Sequence, residues 1–323
     1  MENNIILGGG LAGLIVKFYN PSYKIITKDI GGQFASKFQL GPRFLHKTEE
    51  TQRFVWDIHS EFNIKAKEKR VKVGYWYNNG LHDTCSAELM KQYFLKSRNI
   101  SEADANIEKQ GVMSSGKNEF DAFEIDYKAF AELMFSKHHD DFWLGLVKRI
   151  DAQSKWITCV YDEMLFSENY RSLISTIPLK WFISVVDTDV KESELKYSSI
   201  YFYKTIPENK FSDNEYDYIY FPELWKPLSG IYPWYRISFS NDRKECIYES
   251  SFSLNWSRVD GVIDSNNIEI GHIIDTDLKF VFPDIAFIGR MGKWKHDERL
   301  EKVVKDAQDM NAQNDEYNLG AYK

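Results

Sequence analysis

Three apolar residues, Ile5-Ile6-Leu7, run directly into Gly8-Gly9-Gly10-Leu11-Ala12-Gly13, and an apolar stretch (Leu14, Ile15, Val16, Phe18) follows. The pattern predicts a buried strand, a tight glycine turn and an apolar helix. A second apolar run, Tyr23 to Thr27, predicts the next strand, and another glycine pair, Gly31-Gly32, comes after it. Helical spacing recurs over residues 50–62 (Phe54, Val55, Ile58, Phe62), 86–96 (Leu89, Met90, Tyr93, Phe94) and 126–138 (Phe130, Leu133, Met134). Between the first two of these, Arg70 to Leu81 reads as a strand with a hairpin turn at Asn79-Gly80. From Leu144 to Ile177 the period shortens to that of strands, at 146–150, 156–160 and 172–178. Residues 196–256 alternate Tyr, Phe and Ile with polar positions, which predicts a separate antiparallel sheet. A last strand, Ile285 to Ile288, ends in Gly289-Arg290-Met291-Gly292, and a helix is predicted from about Glu298 to Met310.

The first turn is a Gly-x-Gly-x-x-Gly motif between a strand and a helix, the setting in which it binds a dinucleotide. Gly8 permits the tight turn, Gly10 lets the backbone approach a pyrophosphate, and Gly13 lets the helix pack close to the strand. Leu11 and Ala12 open the helix, whose amides and dipole face the phosphates. An NAD site places an acid about 20 residues beyond the first glycine. Here Thr27 or Lys28 falls there, with Asp29 next, so the ribose contact is open among the three. The pair Gly31-Gly32 is the arrangement of amine-oxidase-like FAD enzymes, which favours tightly held FAD over exchangeable NAD.

At 323 residues the chain is long enough for two domains, and 43% hydrophobic with 28% charged residues is an ordinary globular balance. A net charge of −7 argues against general nucleic-acid binding, which needs a basic surface. No apolar run is long enough to span a bilayer. Residues 1–20 show neither the basic stretch nor the small-residue cleavage site of a leader, and Cys85, Cys159 and Cys246 are widely spaced without a CxxC pair. These features lead us to expect a cytoplasmic protein with reduced thiols and no metal site. His138-His139 before Asp140-Asp141 reads as a solvated helix end, because adjacent side chains on a helix diverge. The aromatic content, 15% of the chain, is expected mainly to fill the core.

Beyond the second glycine pair the sequence resembles UDP-galactopyranose mutases. Gly41-Pro42-Arg43-Phe44-Leu45-His46-Lys47-Thr48 is similar to the family's Gly-Pro-His-x-Phe-His-Thr loop, and Arg53-Phe54-Val55-Trp56-Asp57 to its Val-Trp helix. Lys69-Arg70-Val71-Lys72 with Asn79-Gly80, Ser175-Thr176-Ile177-Pro178, and Gly289-Arg290-Met291-Gly292 match further family segments in the same order. The departures are Arg43 for the first loop histidine, Trp294 and His296 for two tyrosines, and Glu298-Arg299 for an Asp-Met pair.

The resemblance implies an α/β fold: a Rossmann-like FAD-binding domain (1–45, 140–180 and 270–323) with an inserted mixed α+β substrate domain (46–139 and 181–269). It places Gly289, Arg290 and Arg299 with the cofactor, beside Gly8, Gly10, Leu11, Ala12, Gly13, Lys28, Gly31 and Gly32. Arg43, His46 and Arg236 are the candidate catalytic residues; Arg236 lies in a strand similar to one that supplies a phosphate-binding arginine. Arg suits a diphosphate, because its planar fork pairs two oxygens at once. Each has a plain alternative: Arg290 caps loop carbonyls, Arg236 is an exposed strand residue, Arg43 is a surface residue, and His46 packs in its loop. The implied reaction uses reduced FAD as a nucleophile toward the sugar of a nucleotide sugar, with NAD(P)H as a possible external reductant. A flavin oxidase or dehydrogenase of the amine-oxidase type, acting on an amine, nucleobase or nucleotide-linked group, is the alternative. A non-catalytic flavin-binding protein is the third reading.

Overall fold

The computed structural model describes residues 3–32, 44–101, 119–188, 190–212, 214–224, 232–240, 242–253, 263–274, 282, 285–295 and 298–320. In chain order the elements are β1 (Asn3–Gly10), α1 (Leu11–Tyr19), β2 (Lys24–Gly31), β3 (Phe44–His46), α2 (Glu49–Phe62), β4 (Lys67–Tyr77), β5 (Gly80–His82), α3 (Ala87–Arg98), β6 (Glu119–Glu124) and α4 (Tyr127–His138). They continue with β7 (Phe142–Leu144), β8 (Leu146–Asp151), β9 (Trp156–Tyr161), β10 (Met164–Ser175), α5 (Leu179–Ile183), β11 (Lys196–Thr205), α6 (Asn209–Ser212) and β12 (Tyr218–Tyr220). The last are β13 (Arg236–Phe239), β14 (Cys246–Ser250), β15 (Asp264–Ile274), β16 (Ile285–Phe287), α7 (Gly289–Lys293) and α8 (Leu300–Gly320). The chain forms two compact units, 1–68 with 122–195 and 276–323, and 69–121 with 196–275.

In the first unit, β7, β2, β1, β10 and β16 pair side by side and all in parallel. Numbered among themselves in chain order, these strands lie 3-2-1-4-5, the order of dinucleotide-binding sheets. Ligands of such sheets bind where the order reverses, beyond the carboxyl ends of the first and fourth strands, here β1 and β10. β10 is longer than the 172–178 strand expected. Its first half, Met164 to Asn169, pairs antiparallel with β9, and Leu173 to Ser175 pair in parallel with β16. One continuous strand thus joins the β8–β9 meander to the parallel sheet. α1 is buried on most of its surface (Leu11, Gly13, Leu14, Ile15, Val16), as its apolar sequence requires, and shares a core with Phe54 and Ile58 of α2, Phe130 and Met134 of α4, and Val303 and Val304 of α8. That core corrects the expected boundaries: residues 46–68 and 122–139 belong to the first unit, because α2 and α4 bury their apolar faces there.

In the second unit the sheet runs β15-β11-β14-β13-β12-β4, with β5 paired to β4. Within 196–256, β11, β14, β13 and β12 pair antiparallel as expected, but the sheet is not separate: β12 joins β4 in parallel, Tyr218 opposite Val73. The β4–β5 hairpin turns one residue earlier than expected: Asn78 and Asn79 take φ of 49° and 55°, and Tyr77 pairs with Gly80. Asn tolerates this left-handed backbone better than most residues, so two consecutive asparagines serve the turn. Phe211, Phe221, Trp234, Phe239 and Tyr248 fill the core, where most of the chain's aromatic excess in this unit goes. Cys85, Cys159 and Cys246 are free and buried, and among the described residues no helix is long and apolar enough to cross a membrane.

Candidate functional site

At the switch point of the parallel sheet the glycines are each held by a different constraint. Gly8 has φ of +102°, and a Cβ there would lie 2.7 Å from Thr176 Oγ1. A Cβ on Gly13 would stand 1.9 Å from the Gly8 carbonyl oxygen, so α1 starts as close to β1 as backbone allows. Gly9 is clamped by Thr27, whose hydroxyl accepts its N–H at 2.8 Å and donates to the Asp29 carbonyl at 2.6 Å. Gly10 is different: a Cβ there would meet nothing within 4 Å. It is also the N-cap of α1, with extended backbone, no side-chain cap and no acid in the first turn, so the first amides face outward without an internal acceptor from the cap side chain. Gly31 and Gly32 have φ of 82° and 55°, and a Cβ on Gly32 would come 3.1 Å from Gly10 Cα. The second glycine pair therefore lies directly against the first turn. Such a cradle, closed on its flanks by backbone and by the Thr176 and Thr27 side chains and open at Gly10, fits a diphosphate held by amides and a helix dipole.

The three residues expected at a ribose differ in what they have free. Thr27 is buried with its hydroxyl committed to Gly9 and Asp29, which leaves the exposed side chains of Lys28 and Asp29 at the end of β2. Gly289, at φ +78°, places its Cα hydrogen toward Ala12, and a Cβ there would lie 3.2 Å from the Ala12 Cβ. Arg290 follows at the start of α7, half-buried, so the chain brings it to the same end of α1 as Leu11 and Ala12. Gly292 packs on the Ser175 carbonyl, where a Cβ would come within 2.6 Å. Lys293 binds Glu298 (3.2 Å) and Asp306 (2.7 Å), which gives the departure at Glu298 a structural role.

His46 ends β3 and is half-buried; its carbonyl accepts the Thr51 hydroxyl at 2.7 Å, inside the Thr48–Thr51 capping box that starts α2. Burial holds its imidazole below the usual histidine range; Glu301 opposes that and Arg299 adds to it. His46 and Arg299, far apart in sequence, thus share one electrostatic neighbourhood at the start of α8. Arg43 lies outside the described residues. The histidine–aspartate run at 138–141 forms no metal cluster among the described residues, and Asp141 instead pairs with the buried Lys17 at 2.7 Å.

In the second unit the structure corrects the reading of Arg236 as a cation open to phosphate. Register puts it directly opposite Glu249, and its Nε and Nη2 each donate to that carboxylate at 2.8 Å. Glu249 is buried and also accepts from Tyr235 Oη at 3.1 Å, while Tyr235 Oη meets His272 Nε2 at 3.1 Å. Arg236 further lies over the Tyr218 ring, and Tyr93 stacks on Tyr220 with centroids 4.8 Å apart. Sequence reasoning missed this network. Its one local signal was the tyrosine density; the pairing of residues 13 apart depends on strand register, which the sequence does not state.

Neither a family model nor a curated protein matches the sequence. Solved structures do. The structure of reduced UDP-galactopyranose mutase aligns with a TM-score of 0.68 at 14% identity, over 96% of this chain and 93% of that one. The CLA-producing fatty acid isomerase from P. acnes (TM-score 0.61, 10% identity, 97% and 98% covered) and putrescine oxidase bound to putrescine (0.61, 9%, 97% and 99%) align as fully. At these identities the likeness speaks for the fold. With its parallel sheet, glycine cradle and full-length alignment to the mutase, the chain has the mutase-like flavoprotein fold in a divergent sequence.

Proposed function

We propose that the chain is an FAD-dependent enzyme acting, as the mutase does, on a nucleotide-linked sugar. The opening at Gly10 carries the reading: a Cβ on Gly8, Gly9, Gly13 or Gly32 would run into protein, whereas one on Gly10 would meet nothing within 4 Å among the described residues, where a diphosphate belongs. The amides at Leu11, Ala12 and Gly13 would bind the cofactor's phosphates, with Lys28 at the ribose end and Gly31 and Gly32 passing close to it. When bound and reduced, FAD supplies a nucleophile and a store of electrons. Arg290 would steady the anionic end of the substrate, and the neutral His46 ring would accept or return a proton at an imidazole nitrogen. NAD(P)H is the proposed external reductant.

The Arg236–Glu249 pair favours a second reading. A guanidinium neutralised by a buried carboxylate offers a diphosphate no net charge, which favours a substrate without a phosphate. Anaerobic incubation with UDP-galactopyranose separates the two. The mutase-like reading expects conversion only after flavin reduction, with no net loss of electrons. Bleaching of oxidised flavin by an amine, with colour restored by oxygen, would replace it with the oxidase reading. A protein that takes up no FAD would end both.

A further inference from the structure

α1 runs from the glycine cradle at Leu11 to Tyr19, so its far end lies about 12 Å from the cofactor site. At that far end Phe18, Tyr19 and Pro21 form a cleft with Trp56, Asp57 and Glu61 of α2, with a volume of about 460 Å³. Trp56 is 69% exposed, an unusual position for the largest side chain on a helix whose neighbours Phe54 and Ile58 are fully buried. Its indole takes no part in the core beneath, where Phe18 meets Phe54 and Phe130 edge to face. The tyrosine beside it is fixed in place: Gln308 Nε2 donates to Tyr19 Oη at 2.9 Å, and Tyr19 Oη donates to Asp57 at 2.8 Å. Asp57 receives only that neutral hydroxyl and takes no cation as a partner among the described residues. Glu61 is paired with Lys137, and Arg53 acts on the Tyr19 hydroxyl from a distance, so Asp57 is the carboxylate of the cleft that, among the described residues, no cation binds directly. The last turn of α2, which carries Glu61, adds the negative end of a helix dipole.

We infer that this cleft is a docking site for a lysine or arginine side chain of a basic polypeptide partner. An indole face is the best aromatic platform for an ammonium or guanidinium group, and Asp57 supplies the charge-assisted hydrogen bond. A shallow, open cleft suits a side chain presented on a surface more than a free ligand that must be enclosed. The net charge of −7 steers a basic partner toward the chain. The inference does not depend on the proposed reaction, because the cleft shares no residue with the glycine cradle.

The test uses the full chain loaded with FAD and a fluorescein-labelled Gly-Arg-Gly-Lys-Gly peptide, with a peptide carrying citrulline and norleucine in place of Arg and Lys as the neutral control. Fluorescence anisotropy at low ionic strength should show the basic peptide binding and the neutral one not. Trp56→Ala and Asp57→Asn should each weaken binding by about 3- to 30-fold, with flavin absorbance and melting temperature unchanged. Trp56→Phe should lose less than Trp56→Ala, since a smaller ring keeps part of the platform. Equal binding of the two peptides, or full affinity in both Trp56→Ala and Asp57→Asn, overturns the inference. Displacement by spermidine at the same concentration as the peptide overturns the polypeptide assignment.

Discussion

Lys96 shows how much a single buried residue can impose. It sits near the C-terminal end of α3, is 5% exposed, and donates to the Phe221 carbonyl at 3.1 Å. Burial pulls its ammonium down to about 7 from 10.5, with Glu223 opposing only in part. The folded state therefore sheds a proton that the unfolded state keeps between pH 7 and 10.5. Stability should rise with pH across that window and carry the full penalty of the buried charge below it. The span is roughly 3 to 5 kcal/mol. Lys96→Met should be more stable than wild type at pH 7, and urea unfolding at pH 7 and pH 9 should show a smaller gain for the variant than for wild type. Equal gains would mean that Lys96 is solvated in the folded protein.

The glycine turn behaves as one element, although its residues act through different physics. At Gly13 the conflict is internal, with the Gly8 carbonyl 1.9 Å from an added Cβ. Gly13→Ala must push α1 away from β1, and we expect a loss of about 3 kcal/mol in denaturant unfolding, with or without flavin. Gly10 has no such neighbour, so Gly10→Asp should leave the apoprotein near wild-type stability and remove FAD retention. Its carboxylate would occupy the diphosphate's place and repel it. Measuring bound flavin beside the melting temperature distinguishes the two variants. A Gly10→Asp protein that stays yellow would place the cofactor elsewhere.

For the whole molecule the proposed function raises the question of how an acidic chain would bind an anion. With a net charge of −7 the mean field repels a diphosphate, so local amides and cations must overcome it. Since Arg236 is engaged by Glu249, that task would fall, on the proposed function, to the α1 amides and to Arg290. Arg290→Ala should therefore weaken UDP binding by about 2–3 kcal/mol, roughly 30- to 150-fold, in a calorimetric titration. FAD content should be measured in the same samples, because Arg290 lies beside Gly289 and Ala12. Wild-type protein that does not bind UDP would remove the nucleotide sugar and leave the oxidase reading.

What the residues determined alone was local and steric. The strand–glycine–helix entry, the helices expected over 50–62, 86–96 and 126–138, and the meander strands were all legible, because hydrophobic period and glycine freedom act within a few residues. So was the glycine turn, where Gly13 answers to the nearby Gly8 carbonyl, although Thr176 and Thr27 close on Gly8 and Gly9 from other parts of the chain. Tertiary structure decided the rest. The core around Phe54 and Phe130 drew α2 and α4 into the first unit, and β-register set Arg236 against Glu249. The same long-range packing placed His46 near Arg299, and it left Trp56 uncovered beside Asp57. These outcomes depend on which surfaces meet after the chain has folded, and residues more than a turn or a strand apart carry no local signal of that choice.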